Sequence, residues 1–436
     1  MRYYLDPFGC VKNQVDAETM MDLLNNAQWS GVEDPGEADL IIINSCGFIE
    51  RAKQESINAV LGYRKTYPDK KIILAGCLAQ RYAQELAESL PEADLLFGNR
   101  DVSKIIEAVS AVSDRLLIPA GSENSAVSGK RPLLSLPGSA YIKISEGCNN
   151  HCTFCAIPRI RGPLVSRQLS DILTECRELL ERGIQELCLI GQDLGSYLTD
   201  HSAESGLPEL LEALSKREEQ FWVRLLYIHP DNFPLKILDI IRRDPRFLPY
   251  FDLPFQHGSQ RVLRAMNRQG TAASYLGLLD RIREVLPDAV LRSTFLTGFP
   301  GETAEDFEQL LDFQDKAHLD WAGCFAYSRE EDTPAYAMKP RIPKTLGLKR
   351  KQYIEERQRT ITEKQMERFI GRDFDVLVEE RVVNEEGLYL GRLFCHAPEV
   401  DGSAVIRSDR PLRAGAIVRG SVFALAGFDL EVRVNS

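Results

Sequence analysis

Three cysteines close together give this sequence its clearest chemistry. Cys148, Cys152 and Cys155 lie in YIKISEGCNNHCTFCAIPRIRGPLVSR (Tyr141 to Arg167) at the spacing C-x3-C-x2-C, with Phe154 before the last thiol. An alternating apolar segment, a β-strand by its pattern, runs directly into them. Three thiolates so placed can converge on one metal centre. A cubane iron-sulfur cluster has four irons and usually takes four thiolates, so a three-cysteine loop leaves one iron without a protein ligand. An open iron can chelate a small molecule through an amine and a carboxylate. S-adenosylmethionine carries both, and electron transfer from such a cluster can cleave its sulfonium bond to a 5′-deoxyadenosyl radical. The competing readings are half of a zinc site or three core cysteines. Zinc knuckles show paired C-x2-C halves with a matching Cys or His pair nearby, and none follows here.

A second three-thiol set emerges from topology rather than spacing. Residues 1 to about 130 repeat one pattern three times: the apolar strands RYYLDPFGC, ADLIIINSC and KKIILAGC each end in a cysteine and lead into a helix-like stretch. Continuous apolar runs separated by helical periodicity predict a parallel sheet with crossover helices. The carboxyl ends of all its strands share one edge, where open α/β folds bind ligands. Cys10, Cys46 and Cys77 can therefore meet in one crevice although they are far apart in sequence. Taken singly, each reads as a buried core cysteine; three at equivalent positions read as a set. Cys176, Cys188, Cys324 and Cys395 lack metal-like spacing and read as structural.

These residues need a scaffold, and the remaining chain predicts one. From Tyr141 the segments AYIKISEGC, ELCLIGQDL, WVRLLYIHP, YFDLPFQHG, VLRSTFLTGFPG and WAGCFAYS alternate with helical stretches. Six such units predict an incomplete (β/α) barrel whose chemistry sits at the strands' carboxyl ends. Cys148, Gln192, Asp193, His229, Gln256, His257 and the GFPGET turn (Gly298 to Thr303) then share one rim. Glycines bracketing that turn permit close approach of a ligand, and Thr303 can cap the next helix. Gly298, Gly301, Glu302 and Gln192 join the three cysteines of the loop as cofactor-binding candidates, with a purely structural turn as the competing reading of GFPGET; His257 alone reads as a buried, satisfied histidine, and its strand-end position makes a site role worth testing. Residues 112–137, rich in Ser, Gly and Pro, read as a linker that includes a strand returning to the first sheet. The fold class is α/β: an N-terminal parallel-sheet α/β domain over 1–130, a central partial (β/α) barrel over 138–343, a charged linking helix over 344–370, and a small antiparallel β-barrel over 371–436.

Composition bounds the partners. The chain has 436 residues, a net charge of -11 and ten cysteines. There is no apolar run near the roughly 20 residues needed to span a bilayer, and MRYYLDPFGCVKNQ has no signal-peptide core. A cytoplasmic location and no membrane partner are expected, and in that compartment cysteines serve as metal ligands rather than disulfides. Residues 1–135 carry 14 basic against 19 acidic side chains, and residues 371–436 carry 8 against 11. Phosphate backbones demand basic surfaces, so free tRNA is an unfavoured partner and a basic protein a favoured one.

The C-x3-C-x2-C loop with its aromatic resembles the radical S-adenosylmethionine (SAM) superfamily. GCVKNQVDAE (Gly9 to Glu18), NSCGFIERAKQESI (Asn44 to Ile57) and GCLAQRY (Gly76 to Tyr82) resemble the N-terminal domain of methylthiotransferases, and the closing strands resemble their TRAM domain. The resemblance covers essentially the whole chain. It implies two [4Fe-4S] clusters, one on Cys148, Cys152 and Cys155 that cleaves S-adenosylmethionine, and one on Cys10, Cys46 and Cys77 that handles the sulfur to be inserted. One S-adenosylmethionine then supplies a methyl group and another the radical that abstracts hydrogen from an unactivated carbon. Gln192-Asp193 within IGQDLGSY and Gln256-His257 within YFDLPFQHGS resemble the branch that modifies a ribosomal protein. That branch implies the β-carbon of an aspartate in protein twelve of the small subunit as the target, with an electron donor and a sulfur donor still to be identified. The alternatives are a tRNA adenosine methylthiotransferase, which shares the cluster motifs, and a two-cluster electron-transfer or scaffold protein, which leaves the open iron without purpose. The small barrel is expected to contact substrate rather than hold the core together, with Glu379, Glu380, Glu385 and Glu386 as its acidic surface.

Overall fold

Leu40–Ser45 is buried at all six positions, as a parallel strand covered on both faces must be. It is the third of six strands, β1 (Arg2–Pro7), β2 (Ser30–Gly31), β3 (Leu40–Ser45), β4 (Lys71–Gly76), β5 (Leu95–Phe97) and β6 (Leu116–Leu117), arranged in the order β2-β1-β3-β4-β5-β6. Every neighbouring pair is parallel. Alternate residues of the central strands feed opposite cores. Leu40, Ile42 and Ile73 meet Met20 and Leu24 of helix Val11–Asn26 on one face. Ile41, Ile43, Ile72 and Leu74 meet Val60 of helix Glu50–Thr66 on the other.

The computed structural model describes residues 1–110, 115–121 and 127–434, in two compact units. The linker expected over 112–137 falls partly outside the described residues, at 112–114 and 122–126; its returning strand is β6, paired with β5 through Leu96 and Leu116. The first unit comprises Met1–Leu134, Tyr141–Glu178 and Ser328–Tyr336, so it contains the Cys148 loop as well as the N-terminal sheet. After β7 (Ser139–Lys143), the two-residue strands β8 (Ser145–Glu146) and β9 (Val165–Ser166) pair antiparallel and clamp the base of that loop.

The second unit comprises Ser135–Ala140, Leu179–Tyr327 and the chain from Ala337 onward. Its strands are β10 (Glu186–Ile190), β11 (Trp222–Leu225), β12 (Phe247–Asp252), β13 (Val290–Thr297) and β14 (Trp321–Ala326). They follow one another in sequence order, giving a sheet β14-β13-β12-β11-β10-β7 with parallel pairing along β10 to β14. Helix Lys344–Met366 is charged outside but buries a stripe at Gly347, Arg350, Ile354, Gln358, Thr362 and Met366, the three- and four-residue spacing of one helix face. Five further strands, β15 (Asp373–Arg381), β16 (Leu388–Arg392), β17 (Ala404–Arg407), β18 (Ile417–Ala426) and β19 (Asp429–Val434), close into a barrel in the order β15-β16-β17-β19-β18. One of its pairings, β17 with β19, is parallel.

That small barrel is built into the second unit, which corrects the expectation that it does not hold the core together. Arg392 donates to Glu186 Oε2 at 2.6 Å and to Ser139 Oγ at 2.8 Å, while Arg224 donates to Glu186 Oε1 at 2.7 Å and to the Phe394 carbonyl at 2.8 Å. Asp401 accepts from Tyr250 at 2.6 Å, and Trp321 donates to the Cys395 carbonyl at 2.8 Å. Glu379 is buried and holds Arg392 at 2.5 Å, so it is no part of an acidic surface; Glu380, Glu385 and Glu386 are exposed.

Candidate functional site

The first unit brings Cys10, Cys46 and Cys77 together at the carboxyl edge of its sheet. Cys10 opens helix Val11–Asn26 after β1, Cys46 follows β3, and Cys77 opens the short helix Cys77–Arg81 after β4. A β-carbon built on Gly9 would stand 3.0 Å from Cys46 Cβ, and one on Gly47 would stand 2.8 Å from the Cys77 carbonyl carbon, so the three loops touch. Gly76 adopts φ +99°, and a side chain there would meet the Ser45 carbonyl at 2.6 Å; only glycine lets the chain turn Cys77 into the crevice. Burial pushes the Cys77 thiol up to about 12, opposed by the charge of Arg161, and raises Cys46 as well.

Three polar side chains surround the Cys77 sulfur. Its thiol donates to Asn13 Oδ1 at 3.2 Å, and the sulfur accepts from Asn99 Nδ2 at 3.1 Å and from Arg161 Nη2 at 3.6 Å. Arg161 comes from the other cysteine loop, six residues beyond Cys155. Its guanidinium also reaches Asn13 Oδ1 at 2.5 Å, Asp16 at 3.0 Å and Glu146 at 2.9 Å, and Lys143 completes the network to Asp16 at 2.5 Å and Glu146 at 2.6 Å. Between Arg161 and Lys143, Glu146 is held down at about 2, although its burial alone would raise it. Ala156 and Ile160, from the same loop, pack against Cys77.

Cys148, Cys152 and Cys155 line a tight loop and are all partly exposed. Gly147, at φ +67°, passes so close to the Pro163 carbonyl that a β-carbon would stand 1.9 Å from it. The Cys148 N–H donates to the Gly162 carbonyl at 3.2 Å, Cys155 N–H to the Cys152 carbonyl at 3.1 Å, and Asn150 N–H to Cys148 Sγ at 3.4 Å. A strap over Ser328–Tyr336 ties both cysteine loops. Ala335 N–H donates to the Thr153 carbonyl at 2.9 Å, while Arg81 bridges the Gly47 carbonyl at 3.0 Å and the buried Glu330 carboxylate at 2.7 Å. Among the described residues no three His, Cys, Asp or Glu side chains could hold a single metal ion. A cubane asks for something different, because each thiolate bonds a different iron. Two thiol-only sets, one supplied with N–H donors and a guanidinium, match a soft, anionic iron-sulfur group and do not match a hard cation.

In the second unit the rim residues fall at strand ends as the barrel pattern predicts. Gln192 lies two residues past β10 and is partly exposed. Asp193 is spent on structure, accepting from Gly195 and His229 N–H groups, Ser196 Oγ and Asn232 Nδ2. Tyr227 and Gln256, just past β11 and β12, sit at φ +69° and +70°. Such strain in non-glycine residues gathers at ligand sites. In GFPGET, Gly301 is open, since a β-carbon there would find its nearest neighbour 3.7 Å away, whereas the Glu302 carboxylate turns inward. Glu302 accepts from Gly298 N–H at 2.6 Å, Phe299 N–H at 3.1 Å and Arg350 at 2.5 Å, so it shapes the turn from within. Thr303 caps helix Ala304–Ala317 in a capping box with Asp306. His257 is fully buried, accepts from Ser259 N–H at 2.9 Å and is pushed down to about 3 by burial; its Nε2 stands 4.0 Å from Glu302.

Arg161, Asn99, Asn13 and Glu330 are absent from the sequence-based candidates. Arg161 stands in IPRIRG beside the cysteine motif, but nothing local shows that its partner is Cys77.

Residues 2–98 match a family described as uncharacterized protein family UPF0004, residues 142–313 match the radical SAM superfamily and residues 370–434 match the TRAM domain. A radical methyltransferase from Kitasatospora setae, TsrM, solved with cobalamin and a [4Fe-4S] cluster, has the same fold at TM-score 0.59 over 77% of this chain and 76% of its own, at 14% identity. The cobalamin-dependent radical enzyme OxsB aligns at TM-score 0.54 over 81% of this chain and 56% of its own, also at 14% identity. Fold and family match together define a radical SAM enzyme, a class that uses S-adenosylmethionine and a [4Fe-4S] cluster. Among curated relatives, ribosomal protein uS12 methylthiotransferase RimO of Treponema denticola is 45% identical over 98% of this chain and 99% of its own. The protein of the same name from Carboxydothermus hydrogenoformans is 38% identical over 99% of both. The chain belongs to the RimO family of methylthiotransferases.

Proposed function

We propose that this chain inserts a methylthio group at the β-carbon of an aspartate in ribosomal protein uS12, using two [4Fe-4S] clusters. The observation that carries the reading is that both cysteine loops belong to one unit of a RimO-family chain, with Arg161 of one loop bonded toward Cys77 of the other. Cys148, Cys152 and Cys155 would hold the cluster with the open iron, and Cys10, Cys46 and Cys77 the second. Bound there, the two clusters and S-adenosylmethionine supply the radical and sulfur chemistry that ordinary side chains cannot perform on a strong C–H bond.

The protein's own residues orient and enclose. The β8–β9 clamp and Gly147 fix the loop's entry, while the strap and Glu330 restrain both loops. Gly301 leaves the GFPGET turn open for the adenosyl cofactor, Gly298 packs against Gly347, Glu302 holds the turn's backbone in place, and Gln192 would offer an amide past the end of β10, three strands along the same sheet. The acidic chain favours a basic ribosomal protein over tRNA. Reconstituted enzyme, given S-adenosylmethionine, a reductant, a sulfide source and uS12, should add one methylthio group to one aspartate, located by tandem mass spectrometry. Methylthiolation of a tRNA adenosine with uS12 untouched would refute the substrate while leaving the radical reading in place.

A further inference from the structure

We propose that Arg161, assisted by Asn99, is the residue that sets the reduction potential of the cluster on Cys10, Cys46 and Cys77, so that the loop of one cluster tunes the other. This rests on the two-cluster reading above.

The geometry is specific. Cys77 is the most enclosed of the three thiols, at 5% exposure, and the Arg161 side chain is 1% exposed. Two nitrogen donors point at one sulfur, Asn99 Nδ2 at 3.1 Å and Arg161 Nη2 at 3.6 Å. Hydrogen bonds and positive charge at a ligand sulfur favour the more electron-rich, reduced cluster, and burial removes the water that would otherwise screen them. The charge is also poised. Arg161 and Lys143 together balance Asp16 and Glu146, so the buried group is neutral before a cluster arrives, and its cationic end is the one turned toward Cys77. A planar guanidinium can serve Glu146 through one nitrogen and Asp16, Asn13 and the sulfur through another; a lysine has no such fork. Asn13 and Asp16 lie on the helix that Cys10 opens, so the same guanidinium joins loop and helix.

Position and charge are separable by a neighbour. Arg100 holds the same loop through backbone carbonyls rather than a sulfur, reaching Arg159 O at 2.7 Å and Ile160 O at 3.2 Å. In a Cys148→Ala, Cys152→Ala, Cys155→Ala full-length background, only the second cluster remains, and its potential can be read by a redox titration monitored by electron paramagnetic resonance. Adding Arg161→Gln should lower that potential by at least a tenfold step in the reduction equilibrium, about 59 mV for one electron. Arg161→Lys should shift it less, Asn99→Ala should lower it by a smaller step, and Arg100→Gln should leave it in place. If Arg161→Gln does not fold by circular dichroism, Asn99→Ala and Arg161→Lys carry the test. An unchanged potential in the folded variants, or a shift in Arg100→Gln equal to that of Arg161→Gln, overturns the proposal. A background that folds but binds no iron overturns the two-cluster reading beneath it.

Discussion

Replacing Arg392 should destabilise the second unit far more than an exposed arginine would. The side chain is 3% exposed and donates to Glu186, Ser139, Glu379 and the His396 carbonyl. Arg392→Met keeps the volume but leaves two buried carboxylates to share what remains. Glu186 retains Arg224 and Ser139, whereas Glu379, which burial already raises, loses the guanidinium it is paired with. Breaking a buried pair on one side costs about 3–5 kcal/mol, against about 0–1 for a surface pair. For a body of this size that corresponds to a fall in melting temperature of roughly 6–20 °C. Trp321 donates to the Cys395 carbonyl of the small barrel, so in a background carrying Trp29→Phe and Trp222→Phe its fluorescence reports barrel docking during urea unfolding. Adding Glu379→Gln removes the stranded charge and should restore about 1–2 kcal/mol, within the range of coupling between contacting residues. A loss under about 1 kcal/mol for Arg392→Met, or no recovery in the double variant, would refute the view that this network holds the barrel. The same contacts mean that deleting residues 371–436 uncovers Glu186, Arg224 and Tyr250, so lost activity in such a truncation reports unfolding before it reports substrate contact.

Acid should weaken the fold through buried neutral histidines. Burial pushes His257 and His396 down to about 3 and His229 down to about 4, below an unfolded value near 6.5. The unfolded chain therefore binds the extra protons, and the stabilisation is complete above pH 6.5 and fades as pH falls toward 3. Between pH 7.5 and 5.5 each ring accounts for about 1.4 kcal/mol, about 4 in all, which anaerobic melting curves with parallel visible absorption would detect; a flat profile would show the rings are not held neutral. Charge reversal of the exposed Glu380, Glu385 and Glu386 to lysine should weaken binding of uS12 several-fold at low salt and much less at high salt, measured by biolayer interferometry. Equal loss at both ionic strengths would remove the electrostatic argument.

Much of this was readable from the sequence because the relevant signals are local or periodic. The strand-cysteine-helix repeat places Cys10, Cys46 and Cys77 on one sheet edge, and parallel topology leaves little choice about which edge. GFPGET announces its turn through Gly298 and Gly301, and Thr303 announces the next helix. What stayed hidden depends on partners far along the chain. Glu379 looks like one of four acidic surface residues until β15 and β16 pair and turn it toward Arg392. Glu302 has the chemistry of a ligand group until helix Lys344–Met366 brings Arg350 against it. The strands β8 and β9 are too short for any period to register, yet they close the cysteine loop.

Buried ion pairs explain why these distant partners matter for placement more than for stability. Hydrophobic contact is non-directional, so the two faces of the first sheet can bury their apolar residues without fixing where a loop at its edge must stand. Ion pairs inside a protein are directional and roughly neutral in net stability, because desolvation offsets attraction. The first unit places them where segments remote in sequence have to meet: Arg131 joins Glu18 to Glu175, Arg161 joins Asp16 to Glu146, and Arg81 joins the Gly47 carbonyl to Glu330. Two of those three junctions involve residues within five positions of a candidate cluster cysteine. Apolar replacements of the same volume would satisfy the core and leave the loops free to settle at several spacings. At the cysteine loops Arg161, Lys143 and Arg81 are matched one for one by Asp16, Glu146 and Glu330, so the loops are fixed in place without added net charge while the chain as a whole stays acidic.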